Sequence, residues 1–551
     1  MWSRSSATDG APRVTTGVDQ RASRLLVAAC AALVIAIAPG STARADDTHY
    51  QSVLIGDRAF GMGGAATGLA ADTSSTFYNP GALAELPNRS FSASLGLTAF
   101  ERTRVRAGVR GPGSVADLTQ SGSRSLPVFS AALLRFGPHG ADGLKRHAIA
   151  FSTLYPATAD VSLRVDLMNP ETGIPSTARV DHNYRLTLYG LSYALHLSHT
   201  IAFGITAFLA TQRMSHRETL FVAGGGVPTP DGGFSEVSHF SAITRIAGRS
   251  FGVLPRIGFF YRPNQHVSFG LTFQPPAIPL KGRASLSQQT AIAIADSGTG
   301  VTTTYFEPVE QRGMDVRMPI PWMIRLGVGG HVNDSLTLAF DASLHGRVRS
   351  RALLPEVDPG AMQRALFMSF DTARRTTFDM ALGAEWVMRD GVTWRVGAFT
   401  NRSAAPRVPD NTSTYRLERV HHYGASFGLG VHVGAYHLTL GLAGSRGRGS
   451  ALSVDTDPAS TTIYARTGVE ERVLYLFVTG ATRSVARLAR SALHRVRHRG
   501  QEVDEDADAS DEDREEHPDA VDAEQARRRR RTSRARRPAD VRPEDEHVPP
   551  P

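Results

Sequence analysis

At 551 residues the chain is long enough for several ordinary domains or for one large barrel. Its formal net charge is +9, but every basic residue other than Lys145 and Lys281 is arginine, a skew too general to mark a nucleic-acid face. A mean hydropathy of −0.19 excludes a helical membrane protein, and a hydrophobic content of 41% excludes a wholly disordered chain.

Residues 1–45 read as a long signal peptide. Arg21 and Arg24 precede the apolar run Leu25 to Ala38, Pro39 and Gly40 break it, and Ala43-Arg44-Ala45 supplies a cleavage pattern. The run falls short of the ~20 residues a spanning helix needs. Cys30 lies in this leader and is the chain's only cysteine, so disulfides, thiol catalysis and cysteine-held metals are excluded from the mature chain.

Residues 46–88 are rich in glycine, alanine and turn formers. The segment contains Gly61-Met62-Gly63-Gly64 and Asn79-Pro80-Gly81. Gly61 to Ala66 matches a dinucleotide loop only superficially. No acidic residue follows about 20 positions on in a βαβ context, and what comes next is a turn and then strands.

From residue 89 to residue 480 the dominant signal is period-2 alternation. Leu336, Leu338, Phe340, Ala342 and Leu344 alternate with Thr337, Ala339, Asp341 and Ser343. Phe378, Met380, Leu382, Ala384 and Trp386 alternate with Asp379, Ala381, Gly383 and Glu385. Short turns such as Pro263-Asn264-Gln265, Asn333-Asp334, Arg389-Asp390-Gly391 and Gly434-Ala435 join neighbouring strands. Longer polar connections are expected over Arg104 to Arg124, Val222 to Glu236 and Arg349 to Thr372. Short turns at one end and long loops at the other are the pattern of an outer-membrane β-barrel, here of roughly 14 strands of about ten residues each. In lipid every backbone polar group needs an internal partner, which a closed barrel provides. The expected fold class is therefore all-β, a transmembrane antiparallel barrel. A soluble β-sandwich or propeller is the competing reading.

Residues 481–499 read as a basic amphipathic helix, with Arg483, Arg487, Arg490, His494 and Arg497 on one stripe. Residues 500–551 read as a disordered charged tail: 13 acids lie between Glu502 and Glu524, and eight arginines between Arg527 and Arg537.

The stretch GDRAFGMGGAATGLAADTSSTFYNPGALAEL, placed after a signal peptide and before the first strand, resembles the N-terminal hatch of the FadL/TodX family of outer-membrane transport proteins. VRMPIPWMIRLGVGGHVNDSLTLAFDASL and LGAEWVMRDGVTWRVGAFTNRSAAP are similar to later parts of the same family. The resemblance implies a plugged barrel in the cell outer membrane that takes up long-chain fatty acids or other hydrophobic small molecules by passive diffusion. It implies that Gly61, Gly63, Gly64, Asn79, Pro80 and Gly81 shape the plug. The family's Asn-Pro-Ala stands here as Asn79-Pro80-Gly81, which keeps the turn.

By alternation Asp341, Asp379, Glu385 and Arg395 face the lumen, together with Gly383, Gly397, Gly424, Gly428 and Gly441, whose small size leaves room for a plug or a greasy substrate. Trp322, Trp386, Trp394, Tyr436 and Tyr475 are candidates for the aromatic girdles. Gly424 to Gly428 matches a nucleophile elbow but lies mid-strand, so Ser426 with His437 is a remote hydrolase alternative. His421 and His422 point to opposite faces, a poor arrangement for one metal. No catalytic residue, metal or cofactor is expected, and no nucleic-acid partner. The expected partners are a hydrophobic substrate and outer-membrane lipid, with the chain a monomer. The second reading is a non-transporting barrel that acts as a scaffold or secretion-associated shuttle.

Overall fold

The computed structural model describes residues 48–482 apart from 71, 112–113, 127, 140–144, 169–174, 229–233, 296–301, 350–351, 354–369, 372, 389–390, 413–415, 434–435 and 456–463. The signal peptide, residues 483–499 of the expected basic helix and the charged tail lie outside these residues, as do Arg389-Asp390 and Gly434-Ala435 of the expected turns. Ala481 and Thr482, expected to begin that helix, instead end the last strand, where they pair with its neighbours.

Apart from a separate two-stranded pair, Ala352–Leu353 with Phe370–Asp371, and the short Asn411–Thr412, which pairs with the last strand, the described strands form one closed antiparallel barrel of 14 strands. In chain order they are β1 (Arg89–Gly111), β2 (Ser114–Leu126, continued by Phe129–His139), β3 (Lys145–Met168), β4 (Pro175–His196), β5 (Ile201–Pro228), β6 (Phe234–Tyr261) and β7 (Val267–Gln274, continued by Ile278–Ala295). Then come β8 (Thr302–Asp315, continued by Met323–His331), β9 (Leu336–His345), β10 (Thr377–Val387), β11 (Val392–Arg402), β12 (Arg419–Val433), β13 (Tyr436–Asp455) and β14 (Tyr464–Thr482). Each strand pairs with the next, and β14 returns to β1, from Phe91 opposite Thr482 to Val105 opposite Val469. A single closed sheet has no free edge to protect, and it excludes a two-sheet sandwich. No described helix is long and apolar enough to cross a membrane, a statement that does not bear on strands.

Prolines set the interruptions, because they withhold an N–H from the ladder. Pro275-Pro276 separates the two parts of β7, and Pro319 and Pro321 separate those of β8. The two breaks are joined by Ala277 N–H donating to Ile320 O at 3.0 Å. Pro156 lies in a register shift of β3 between Leu154 and Ala157.

Two expected loops are strands instead. Arg104 to Arg124 forms most of the β1–β2 ladder, and Val222 to Glu236 lies largely within the β5–β6 ladder. β5 and β6 each run for 28 residues, against the ~10 that cross a bilayer. Beyond the apolar band the outward face turns polar, as at Arg213, Ser215 and Arg217, while Met214 and Ile246 stay buried on the inward face, so the outward apolar signal that marks a barrel strand disappears while the ladder continues.

The outward faces carry the large exposed apolar residues, among them Leu191, Phe259, Phe340 and Leu382. Trp386 and Trp394 stand opposite one another on β10 and β11 and are exposed, as is Tyr436. Trp322 is half-buried between the two parts of β8. Tyr475 corrects the girdle expectation: it is 7% exposed and its hydroxyl donates to Ser52 O at 2.9 Å, so it points inward. β14 is apolar on both faces here, which hid the parity.

Residues 48–88 precede β1 and contain α1 (Asp57–Gly61), α2 (Ser75–Tyr78) and a 310 helix (Pro80–Glu85). Most of the segment's described residues are buried and none is exposed. Its partners come from the inward-facing positions of the wall, and these contacts build the site.

Candidate functional site

Glycine pairs in the wall let the N-terminal segment approach the strands closely. Gly204 faces Gly258, Gly270 faces Gly327, Gly383 faces Gly397, and Gly428 faces Gly441 across adjacent strands. A Cβ on Gly383 would stand 2.6 Å from Met62 Cβ, and one on Gly258 would stand 2.8 Å from the Gly81 nitrogen. Gly63 and Gly64 have φ of 67° and 91°, a left-handed turn that L side chains rarely adopt. Position 81 keeps the turn and is tightly packed against the wall. A Cβ there would lie 2.8 Å from Gly258 O and 3.1 Å from Ala202 O, so alanine is not a neutral exchange for Gly81.

Asn79 holds the turn from both ends. Its Nδ2 donates to Thr67 O at 3.0 Å and to Phe259 O at 2.9 Å, while its Oδ1 accepts from Gly81 N–H at 3.0 Å and caps the 310 helix. Pro80 follows at the first helical position, and Asn79 is extended at φ −154°, as a residue before proline prefers.

Of the four predicted lumen residues, three hold the segment. Asp341 accepts Ala66 N–H at 3.1 Å, Thr67 N–H at 2.9 Å and Thr67 Oγ1–H at 2.6 Å. Glu385 pairs with Arg395 (Nε to Oε2, 2.7 Å) and with Arg58 of the segment (Nη2 to Oε1, 2.7 Å). Arg395 extends to Asp57 at 3.5 Å and donates to Thr439 Oγ1 at 2.9 Å. Asp57 also meets His437 Nδ1 at 2.5 Å and accepts from Thr479 at 2.8 Å. Burial opposes the charge on Asp57, but the His437 hydrogen bond and Arg395 hold its carboxyl well below the usual range. Asp379 stands apart, accepting Arg402 N–H at 2.7 Å and Thr400 Oγ1–H at 3.2 Å. The sequence reading missed Asp57, Arg58 and Thr479 and gave His437 another role; nothing local in the sequence brings these four together.

Ser426 Oγ donates to Gly61 O at 2.9 Å, and His437 is bonded to Asp57. Both side chains of the hydrolase alternative are thus tied to the N-terminal segment. His422 is buried and bonds Glu471 at 2.9 Å, whereas His421 is only half-buried. Among the described residues no group of three or more His, Cys, Asp or Glu could hold a metal.

Two cavities of about 90 Å³ flank His49-Tyr50-Gln51. One has the more polar lining of the two, with Asp341, Asp379, His345, Asn401 and Glu471 among its residues. The other is mostly apolar, lined by Leu186, Leu188, Met214, Leu254, Ile320 and Met323, with Arg256 and Arg325 in its wall. These two arginines are 3% and 5% exposed. Arg256 donates to Phe77 O and to Gln274 Oε1 (2.6 Å), and Arg325 to Gln51 Oε1 (3.2 Å). Their guanidinium groups lie 4.3 Å and 5.5 Å from the Phe77 ring centroid. Neither forms an ion pair among the described residues; Asp341 and Asp379 lie within electrostatic reach of Arg325, but their oxygens bond Ala66 and Thr67, and Thr400 and the Arg402 N–H, respectively. Arg256 Nε and Arg325 Nη1 are buried without a hydrogen-bond partner. The sequence offered one signal for them, an arginine at inward parity in each of two strands.

A closed antiparallel barrel with a buried N-terminal segment is the class that fold and site define. No family model and no curated protein sequence matches the chain. Solved structures do. The crystal structure of a Pseudomonas aeruginosa FadL homologue is similar at 14% identity and TM-score 0.50, over 79% of this chain and 99% of that one. The TodX deltaS2S3 mutant monoaromatic hydrocarbon channel is similar at 13% identity and TM-score 0.51, over 78% and 99%. The TodX deltaS2 mutant gives 12% identity and TM-score 0.50, over 78% and 98%. At these identities the likeness establishes a shared fold.

Proposed function

We propose that the protein is an outer-membrane channel for uptake of hydrophobic small molecules, with residues 46–88 as its plug. The similar structures, a FadL homologue and hydrocarbon channels, support the class. The observation that carries the substrate reading is the pair Arg256 and Arg325 in the wall of the apolar cavity. Burying a cation without a counter-charge is costly unless something supplies one. A ligand with an apolar body and a carboxylate end supplies it, placing its body against Leu186, Leu188 and Leu254 and its acid on the guanidinium groups. Long-chain fatty acids have that chemistry.

Passage needs no energy source. A ligand that binds better when the plug is displaced shifts the equilibrium toward the displaced state, by no more than its differential affinity for the two states. Equilibrium binding in detergent tests the substrate class. A long-chain fatty acid is expected to bind the parent protein and to lose about tenfold in affinity in R256Q/R325Q, while the alcohol of equal length binds both alike. Equal binding of acid and alcohol by the parent would remove the case for an acidic ligand.

A further inference from the structure

The outer surface of β4 to β7 carries a feature that uptake does not use. Toward the short turns at Ser198–Thr200 and Pro263–His266 this face is apolar, with Tyr189, Leu191, Leu209, Phe251, Phe259 and Phe273 exposed. Four residues past Tyr189 and Leu209 it changes abruptly. Arg185 stands opposite Arg213, Arg213 opposite Arg249, and Arg249 opposite Arg283. All four are exposed and share one face across four adjacent strands. At about 4.8 Å per strand the row spans about 14 Å. Lys281 is exposed beside it, opposite Phe251.

Like charges placed directly opposite each other repel, and little on the protein offsets them. None of the four arginines makes an ion pair among the described residues. Asp315 ends the row opposite Arg283, and Asp160 lies within electrostatic reach of Arg185. The far side of the barrel differs. There Arg102 stands opposite Arg472, and Arg472 opposite Arg446, but Glu470 bonds Arg106 at 2.8 Å and lies 3.7 Å from Arg446 and 3.9 Å from Arg448. Arg104 is paired with Asp117 at 2.6 Å. One side of the rim is neutralised from within, and the other is not.

We infer that the Arg185–Arg213–Arg249–Arg283 row is a docking site for the phosphates of an anionic membrane lipid, a headgroup carrying two or more phosphates in the leaflet nearest the long strand extensions. Guanidinium forks bind phosphate oxygens bidentately, and a row of four suits several phosphates at once. The position selects a lipid over a soluble anion. The row abuts the apolar face at Tyr189, Leu209 and Phe251, so a headgroup seated on the arginines lays its acyl chains on that face. The inference needs the barrel to span a membrane but is independent of what passes through it.

Native mass spectrometry of the full chain in detergent, titrated with a bisphosphorylated lipid A, its dephosphorylated form, or inorganic pyrophosphate, tests this. Bisphosphorylated lipid A is expected to remain bound, with adduct formation at least tenfold lower in R185Q/R213Q/R249Q/R283Q and unchanged within twofold in R102Q/R446Q/R472Q. The dephosphorylated lipid and pyrophosphate are expected to bind at least tenfold more weakly. R213Q and R249Q alone, each expected to lower retention about threefold, keep the test decisive if the quadruple variant does not fold. Equal retention by parent and row variants would overturn the proposal. So would equal retention of the dephosphorylated lipid, and pyrophosphate binding as tightly as lipid would make the row a general anion surface and overturn the lipid assignment.

Discussion

Two buried charge clusters lie where the N-terminal segment meets the wall, and they differ in how their charges are balanced. Around Asp57, Arg58, Glu385 and Arg395, every guanidinium has a carboxylate within 3.5 Å, and the two acids are shared between wall and segment. Around Arg256 and Arg325, the guanidinium groups rest on Phe77 and on neutral oxygens, with donor atoms left over. The first arrangement is complete without any other molecule and joins two parts of the chain. The second is incomplete, lies beside an apolar cavity, and is where a ligand carrying a negative charge has most to offer. Buried charge alone does not mark a binding site; the charge balance does.

The largest effect is expected from breaking the balanced cluster. Glu385→Ala leaves Arg395 and Arg58 buried with less counter-charge and should weaken seating of the N-terminal segment by about 3 kcal/mol. Hydrogen exchange of residues 56–62 should accelerate accordingly; unchanged protection there would mean the ion pairs do not hold the segment.

Protonation gives the next effect. Burial, followed by His422, pushes His49 down to about 3, whereas a released histidine titrates near 6.5. The released form therefore takes up a proton between those values and the seated form does not, so seating is fully favoured above pH 6.5 and weakens as pH falls. At pH 5 the loss is about 2 kcal/mol. Exchange of residues 48–54 should rise from pH 7 to pH 5 in the parent and stay flat in His49→Gln; an equal rise in both would assign the pH dependence elsewhere.

Gly81→Ala is expected to cost about 1–2 kcal/mol of seating, because the added methyl meets the Gly258 and Ala202 carbonyls and cannot push a side chain aside. Proteolysis within residues 72–88 should become faster. No change in cleavage rate would show that the wall yields there.

The glycine-rich segment, the outward apolar residues and the inward Asp341, Glu385 and Arg395 were legible in the sequence, because strand alternation fixes which face a residue serves. The length of β5 and β6 was not, since Arg213, Ser215, Arg217 and Thr219 on the outward face look like loop residues once the apolar band ends. Tyr475 was misplaced because both faces of β14 are apolar there, so parity could not be read. Arg256 and Arg325 lie 69 positions apart in sequence and meet at Phe77, which belongs to neither strand. Only the closed barrel with its N-terminal segment brings those three side chains together.

Uptake of a long-chain fatty acid into liposomes bearing the purified protein tests the central claim most directly. The account predicts saturable uptake by the parent, a strong reduction in R256Q/R325Q, and lost or altered uptake when Phe60 to Leu86 is deleted. Uptake identical in all three proteins would contradict both the acidic-ligand site and the plug.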